Sequence, residues 1–521
     1  MSVMNLPALS FEDLGTLPSL SFDDLGTRRM SVFLKQTNFN KNHGKKHHKF
    51  DKEKAPYPLS FDHLALDLDV IDHIFLKRLK NSVSFVDFKG KKPKNCLDLG
   101  CGTGSWILDA LKEWPECNFV GFDLVNIQPP LFAINRAHVA QVRWIHGNFL
   151  TTKLPFEDDE FDHVHIRSIA RAVPESKWGY LFEEINRVLK PGGVIEMLED
   201  DLIFPSLPQW YTQALRGDDR NVNNDFSHDH ILLESLFNSV FDSRFINRQP
   251  TSILPSYFTT YFRHVLCSPK ICFPAPPLPP IPDSLEADIN LRRLSSLPYL
   301  NRSLLNTPRN QQFTDTDAYS SDSCSLSEED VGSENLNQRT PPSTDEELEP
   351  LCGHAQALPL LPFYLQPTSP TLSELALLPL SSLESVTYFE MALQFHRMFH
   401  LVLACQESMW EVLSDRIRNR EAELKSLGWD DEDIEAEHSR QRFDKIVDRY
   451  KSDMQIRAAL WHRIASSSSP SFRVPQGTIL SAENEERIYR NVFNAQKRAH
   501  GDDLRTPSRF MRIFIGYKSG L

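Results

Sequence analysis

Four short segments between Asn95 and Arg167 carry residue types that together could hold a nucleoside. The first, Asp98-Leu-Gly-Cys-Gly-Thr-Gly104, ends an apolar strand (Asn95–Leu99) in glycines at 100, 102 and 104. Glycines at this spacing let the backbone turn tightly and let a ligand approach it closely. Trp106–Trp114 then has helical periodicity, which points its N-terminal amides at that ligand. Ser105 stands where a dinucleotide fingerprint, counted from Gly100, has its third glycine, so the loop departs from a pyrophosphate cradle. The second segment, Phe119-Val-Gly-Phe-Asp123, puts a carboxylate 19 residues after Gly104, where it can accept both hydroxyls of a ribose. Nicotinamide-binding folds use the same device. In the third, Val142–Phe149, Asn148 can bond an exocyclic amine and Phe149 can pack on a base. The fourth, Leu154–Arg167, is the strand that faces a second substrate, and Leu189-Lys-Pro-Gly-Gly193 leads into the next strand.

Group transfer at such a site can require a base. His163, His165, Glu199, Asp200 and Asp201 are expected at or near the carboxyl ends of the fourth and fifth strands, with His165 the first candidate for catalysis and Glu199 the second. Arg167 can hold an acidic acceptor or pair with Asp162. No metal site is expected. The eight cysteines, at 96, 101, 117, 267, 272, 324, 352 and 405, form no CxxC or other zinc-like pair and suit a reducing compartment.

The elements that must position these residues alternate strand-like and helix-like patterns over 94–265, which predicts a parallel α/β sheet. Five regions are expected. Residues 1–54 read as an unfolded tail, 55–271 as the α/β core, and 272–381 as a proline-rich and acidic insertion without a core. Residues 382–465 read as a helical hairpin packed on that core, and 466–521 as a connector, a helix and a final antiparallel edge strand, Phe510–Tyr517. The first hairpin helix is expected over 383–424, with a capping box at Ser381 and Glu384, and the second over 431–464.

The tail repeats itself. Leu6–Thr16 recurs as Leu17–Thr27 with two of eleven positions changed, and a shorter copy stands at Leu59-Ser-Phe-Asp-His-Leu64. These LSF[DE]xL repeats and the acidic insertion are candidate binding sites for protein partners. Arg28-Arg29-Met30-Ser31 resembles a kinase site, and Lys41–Lys54 is a basic run with six lysines and three histidines. The net charge of −13 is mostly local, because Thr314–Pro350 holds eleven acids and one base. No clear nucleic-acid site emerges. Neither a secretory signal nor an apolar run of membrane-spanning length is present, which places the chain in the cytoplasm or nucleus.

Motif by motif and in order, Lys94–Glu199 resembles class I S-adenosylmethionine-dependent methyltransferases. The matching features are the D-x-G-x-G-x-G loop at Asp98–Gly104, the acid Asp123, the Leu154-Pro-Phe…Phe161-Asp162 strand and Leu189-Lys-Pro-Gly-Gly193. Asp229–Val265 adds a looser likeness to fungal methyltransferases of the velvet-complex secondary-metabolism regulator type. The resemblance implies a Rossmann-like sheet and S-adenosyl-L-methionine held by Asp98, Gly100, Gly102, Gly104, Asp123, Asn148 and Phe149. Family members often carry an acid where Asn148 stands. The expected function is methyl transfer to an unidentified small molecule or protein. Two alternatives stay open: a regulatory or scaffold protein that keeps the fold and acts through its tails, and, more distantly, a nicotinamide-dependent oxidoreductase.

Overall fold

A computed structural model describes residues 39–134, 138–216, 229–276, 377–378, 380–426, 429–466, 482–497 and 506–520. The repeats at 6–27, the Arg28–Ser31 segment, most of the expected insertion and the serine-rich connector lie outside the described residues.

The first described element corrects the expectation of an unfolded tail for residues 39–54. Phe39–Asn42 (β1) and Lys45–His48 (β2) form an antiparallel hairpin. His43 and Gly44 both take positive φ, 46° and 84°, which closes a two-residue turn of the hairpin-forming kind. The basic run that suggested a solvated tail instead directs polar groups inward. Lys45 Nζ donates to the Leu403 carbonyl at 2.8 Å and His43 Nδ1 lies 2.7 Å from Glu407. The chain then runs as a strap, residues 49–62, into helix α1 (His63–Lys80). Within the strap the third repeat copy is folded: Leu59 is buried in the core and the Ser60 N–H donates to the Ala404 carbonyl at 2.9 Å.

The central sheet follows from alternation. Strands β3 (Asn95–Leu99), β4 (Asn118–Asp123), β5 (Val142–His146), β6 (Phe161–Arg167) and β7 (Leu189–Asp200) are parallel in the order β5-β4-β3-β6-β7. Between them run α2 (Ser105–Glu113) and α3 (Trp178–Val188). Successive side chains in a strand point to opposite faces. Cys96 therefore packs with Trp106, Ile107 and Leu111 of α2, while Leu97 and Leu99 pack with Leu181, Phe182 and Ile185 of α3. Helices α4 (Gln209–Arg216), α5 (Asp229–Asp242) and α6 (Pro250–Tyr261) precede β8 (Arg263–Cys267) and β9 (Ile271–Pro274).

Helices α7 (Leu380–Glu384), α8 (Tyr388–Ala404), α9 (Gln406–Asn419), α10 (Glu421–Ser426), α11 (Asp431–Ile434), α12 (Ala436–Ser466) and α13 (Ala482–Gln496) follow. The expected single helix over 383–424 is divided, with Cys405 between α8 and α9. The capping box is made by Thr387 and Glu390, not by Ser381 and Glu384. Phe395, Phe399 and Val402 of α8 share one apolar cluster with Phe443, Val447 and Tyr450 of α12.

The last strand, β10 (Pro507–Tyr517), is antiparallel as expected but is not an edge. It pairs with β7 on one side and with β8 and β9 in turn on the other. Its central run Ile513-Phe514-Ile515 is buried on both faces, the pattern of an interior strand. Arg509 of β10 enters a buried ion cluster. It donates to Asp72 of α1 at 2.6 Å, to Asp200 of β7 at 2.7 Å, and to Gln394 of α8. Arg397 of α8 completes the cluster, 3.0 Å from Asp200. Burial alone would raise the Asp72 carboxyl, but Arg397, Arg509 and Arg167 outweigh it and hold that group well below the usual carboxylate range.

Removing one partner of a buried pair leaves its counter-charge stranded, so Asp72→Ala should destabilise the protein by about 3–5 kcal/mol in urea unfolding. A loss below about 1 kcal/mol, the worth of an exposed pair, would show that the cluster does not hold these elements together.

Candidate active site

The glycine loop, the ends of β4 and β6 and the strap enclose one cavity. Its empty space is about 1090 Å³ counted out to its open mouth. Gly100, Cys101, Gly102 and Thr103 line it beside Asp123, Asn148 and Phe149, with Asp98 and His165 on the same wall. The loop needs its glycines for two reasons. Gly100 and Gly104 take φ of 78° and 74°, where side chains are strained. A Cβ on Gly100 would also lie 2.6 Å from Ile169 Cγ2, and one on Gly104 would lie 2.6 Å from the Trp144 ring.

Asp123, at the end of β4, closes the loop electrostatically. One carboxylate oxygen accepts the Gly102 N–H at 2.8 Å and the other accepts the Val125 N–H at 3.1 Å. Burial pushes its pKa up to about 6 against the pull of these N–H bonds. Each oxygen keeps lone-pair capacity for a hydroxyl. Asp98 is buried at the end of β3, and desolvation pushes its carboxyl up to about 8. Phe149 is half-buried, lines the cavity and packs on the core beneath it.

Asn148 departs from its expected role. Its Oδ1 accepts the Leu150 N–H at 2.9 Å and its Nδ2 donates to the Lys54 carbonyl at 2.7 Å. The amide fastens the strap to the loop after β5. This is one of several ties, because Ser408 Oγ also donates to the Pro58 carbonyl at 2.8 Å. The strap thereby brings Ala55, Pro56, Tyr57 and Phe61 over the cavity, and α1 brings Asp69.

The expected catalytic residues carry structural partners. His165 is 3 % exposed, stacks on Trp106 at 4.2 Å between ring centroids, and has Nδ1 3.5 Å from Glu196. Desolvation pushes its pKa down to about 4. An imidazole that accepts protons this weakly is a poor base near neutrality. Glu199 is a plainer correction, because it is buried behind the turn after β6 and does not itself line the cavity. Its two oxygens accept the Ile169 and Ala170 N–H groups at 2.8 and 3.2 Å, which fixes the turn after β6. His163 packs among Phe88, Trp106 and Trp114. Asp200 belongs to the ion cluster, and Asp201 accepts from Thr251 and pairs with Lys270. Arg167 does not pair with Asp162, which takes Lys190 and the Lys94 and Asn95 amides instead.

Sequence reasoning missed the strap residues, Asp69 and Arg171, all of which line the cavity. The third repeat copy at 59–64 was the one available signal for the strap. Asp69 and Arg171 come to the cavity through tertiary packing that no local pattern announces.

Residues 96–193 match a family model described as "Methyltransferase domain", so the chain carries such a domain. It is 34 % identical over 145 residues to a demethylmenaquinone methyltransferase of Staphylococcus aureus, a match covering 25 % of this chain and 57 % of that protein. The chain thus spans little more than half the length of the curated relatives it matches. Among solved structures it resembles Haemonchus contortus phosphoethanolamine N-methyltransferase 2 in complex with S-adenosyl-L-methionine, at 19 % identity, TM-score 0.25 and 38 % coverage of each chain. It also resembles human N-acetylserotonin methyltransferase, at 18 % identity and TM-score 0.25, covering 39 % of this chain and 52 % of that one.

The glycine loop is measurable apart from any ligand. Gly104→Ala puts a methyl group against the Trp144 ring at a strained φ and should destabilise the protein by about 1–3 kcal/mol, with a change in tryptophan fluorescence. An unaltered melting temperature would show that the loop is not held in this conformation.

Proposed function

We propose that this chain is an S-adenosylmethionine-dependent methyltransferase whose cofactor lies across the carboxyl ends of β5, β4 and β3, with the methyl acceptor at the end of β6. The observation that carries this reading is the closure of the glycine loop on Asp123: the Gly102 N–H donates to the carboxylate of Asp123, and both residues line one cavity. S-adenosylmethionine is the cofactor of this domain, and when bound it supplies an electrophilic methyl group on a sulfonium.

The residues present fit that molecule. Asp123 would take the ribose hydroxyls with the lone pairs its two N–H bonds leave free. Phe149 would pack on the adenine. Gly100 and Gly102 present bare backbone to the cavity so that the methionyl end can lie against it, whereas Gly104, expected in the same role, is not among the lining residues and packs against Trp144 instead. Asp98 would hold the ammonium. The chain's own contribution is then positioning and exclusion of water, since aligned reactants at near-attack distance account for much of such a barrier. The strap supplies the exclusion, held down by Asn148, Ser408 and Ala404. His165 stacks on Trp106 beneath the site and shapes that wall rather than taking a proton. The acceptor is an unidentified small molecule or protein. The likeness of Asp229–Val265 to velvet-complex regulators belongs to the same reading, with the repeats at 6–27 and the acidic segment as binding sites for partner proteins.

Isothermal titration checks the cofactor site. Asp123→Ala should weaken S-adenosylmethionine binding more than tenfold, since it removes a charged hydrogen-bond acceptor worth about 1.5–3 kcal/mol. Equal affinity would remove Asp123 from the site.

A pH series tests Asp98. Its pKa of about 8 leaves the carboxyl mostly protonated at pH 7, and the ammonium prefers the charged form, so affinity should rise as pH approaches 8. The cofactor amine and Asp123 also titrate, so the quantity to read is wild type minus Asp98→Asn. The same slope in both proteins would separate Asp98 from the ammonium.

A further inference from the structure

Sheet order gives the cavity a direction. Base, ribose and glycine-loop positions occupy the ends of β5, β4 and β3, and the next strand is β6. It ends in Arg167, and the turn after it carries Arg171; both side chains line the cavity.

Their donors are largely uncommitted. Arg167 Nη2 donates to the Asp69 carbonyl at 3.3 Å, while Nη1 is buried, makes no hydrogen bond and lies 3.8 Å from Asp72. Arg171 Nε donates to the Ser168 carbonyl at 2.8 Å, and its Nη2 reaches Asp69 only at 3.7 Å. The nearby carboxylates are taken at shorter range by other arginines. Asp200 has Arg509 at 2.7 Å and Arg397 at 3.0 Å, and Asp72 has Arg509 at 2.6 Å. Even Asp69 lies slightly nearer to Arg397, at 3.5 Å.

The charges do not balance within this group. Arg167, Arg171, Arg397 and Arg509 face Asp69, Asp72 and Asp200, four cations against three anions. Glu199 and Asp98 add little negative charge near neutrality, because burial pushes both up to about 8. The Tyr57 hydroxyl, beside Arg171, is driven further from ionisation by burial. A guanidinium with unused N–H groups in a mostly buried wall is poorly compensated, and a planar oxyanion matches its fork geometry.

The geometry points to a carboxylate-binding site formed by Arg167 and Arg171 for the methyl acceptor, so that the acceptor is an acid. This rests on the cofactor reading above, which fills β5 to β3 and leaves the β6 end for the second substrate. The competing source of the same chemistry is the carboxylate of the cofactor's own methionyl end.

Two titrations on the full chain decide it. In the first, S-adenosylhomocysteine and methylthioadenosine, which lacks the amino-acid end, are titrated into wild type, Arg167→Gln and Arg171→Gln. The proposal expects both variants to keep S-adenosylhomocysteine affinity within about threefold, under 1 kcal/mol. A loss of about tenfold or more for S-adenosylhomocysteine but not for methylthioadenosine gives the arginines to the cofactor and overturns the proposal. In the second, the S-adenosylhomocysteine-loaded proteins are titrated with benzoate and with benzamide by ligand-observed NMR. Benzoate should bind wild type in preference to benzamide and lose that preference in Arg171→Gln, which spares the strand residue should Arg167→Gln fail to fold. Equal binding of the two probes, or binding of neither, overturns it. Wild type that binds no S-adenosylhomocysteine sinks the cofactor reading first, and this inference with it.

Discussion

Asp72 and Asp200, buried together against Arg397 and Arg509, are the constraint on which the arrangement of the chain depends. The four groups come from α1, β7, α8 and β10, segments separated by up to 437 positions in sequence. Desolvating four charges costs several kcal/mol per ion, which mutual pairing offsets only when every member is in place. The cluster therefore forms with all four segments present or not at all. It fixes β10 between β7 and β8, seats the helical layer on the sheet, and sets α1 so that Asp69 reaches the cavity. Because it takes Asp72 and Asp200 at shorter range, it also leaves Arg167 and Arg171 with only long contacts to carboxylates, 3.8 Å to Asp72 and 3.7 Å to Asp69.

The strap is held from outside that ion cluster. It crosses the cavity because the hairpin before it is held by α8 and α9, through Lys45 on Leu403 and His43 on Glu407. The same residues that make the hairpin basic make it dock. Arg440 of α12 adds its own bond to Glu407 at 2.8 Å, so hairpin, α9 and α12 meet at one carboxylate. The strap over the cavity thus depends on helices far from it in sequence.

The site was legible where chemistry is local. Asp98–Gly104 and Asp123 were readable because a turn with bare backbone needs glycine and a ribose needs an acid, at a spacing that strand, helix and strand fix. Strands β3 to β7 were legible through apolar runs between turn residues. What was not legible came from tertiary context. The polar, lysine-rich hairpin reads as solvated until Glu407 and Leu403 are opposite it. His165 reads as a base until Trp106 and Glu196 surround it. Glu199 reads as facing a substrate until the Ile169 and Ala170 amides claim both its oxygens. The edge position assigned to Phe510–Tyr517 failed because 263–274, which looked like the end of the core, supplies two short strands, β8 and β9, that pair along its other side.

The account stands on the claim that the cofactor lies on the glycine loop, beneath the strap. Ultraviolet cross-linking of methyl-labelled S-adenosylmethionine to the intact chain, followed by peptide mapping, addresses it directly. The account predicts label on peptides drawn from residues 55–69, 98–125 and 147–172, abolished by excess S-adenosylhomocysteine. Label confined to other segments, or label that S-adenosylhomocysteine does not displace, would contradict it.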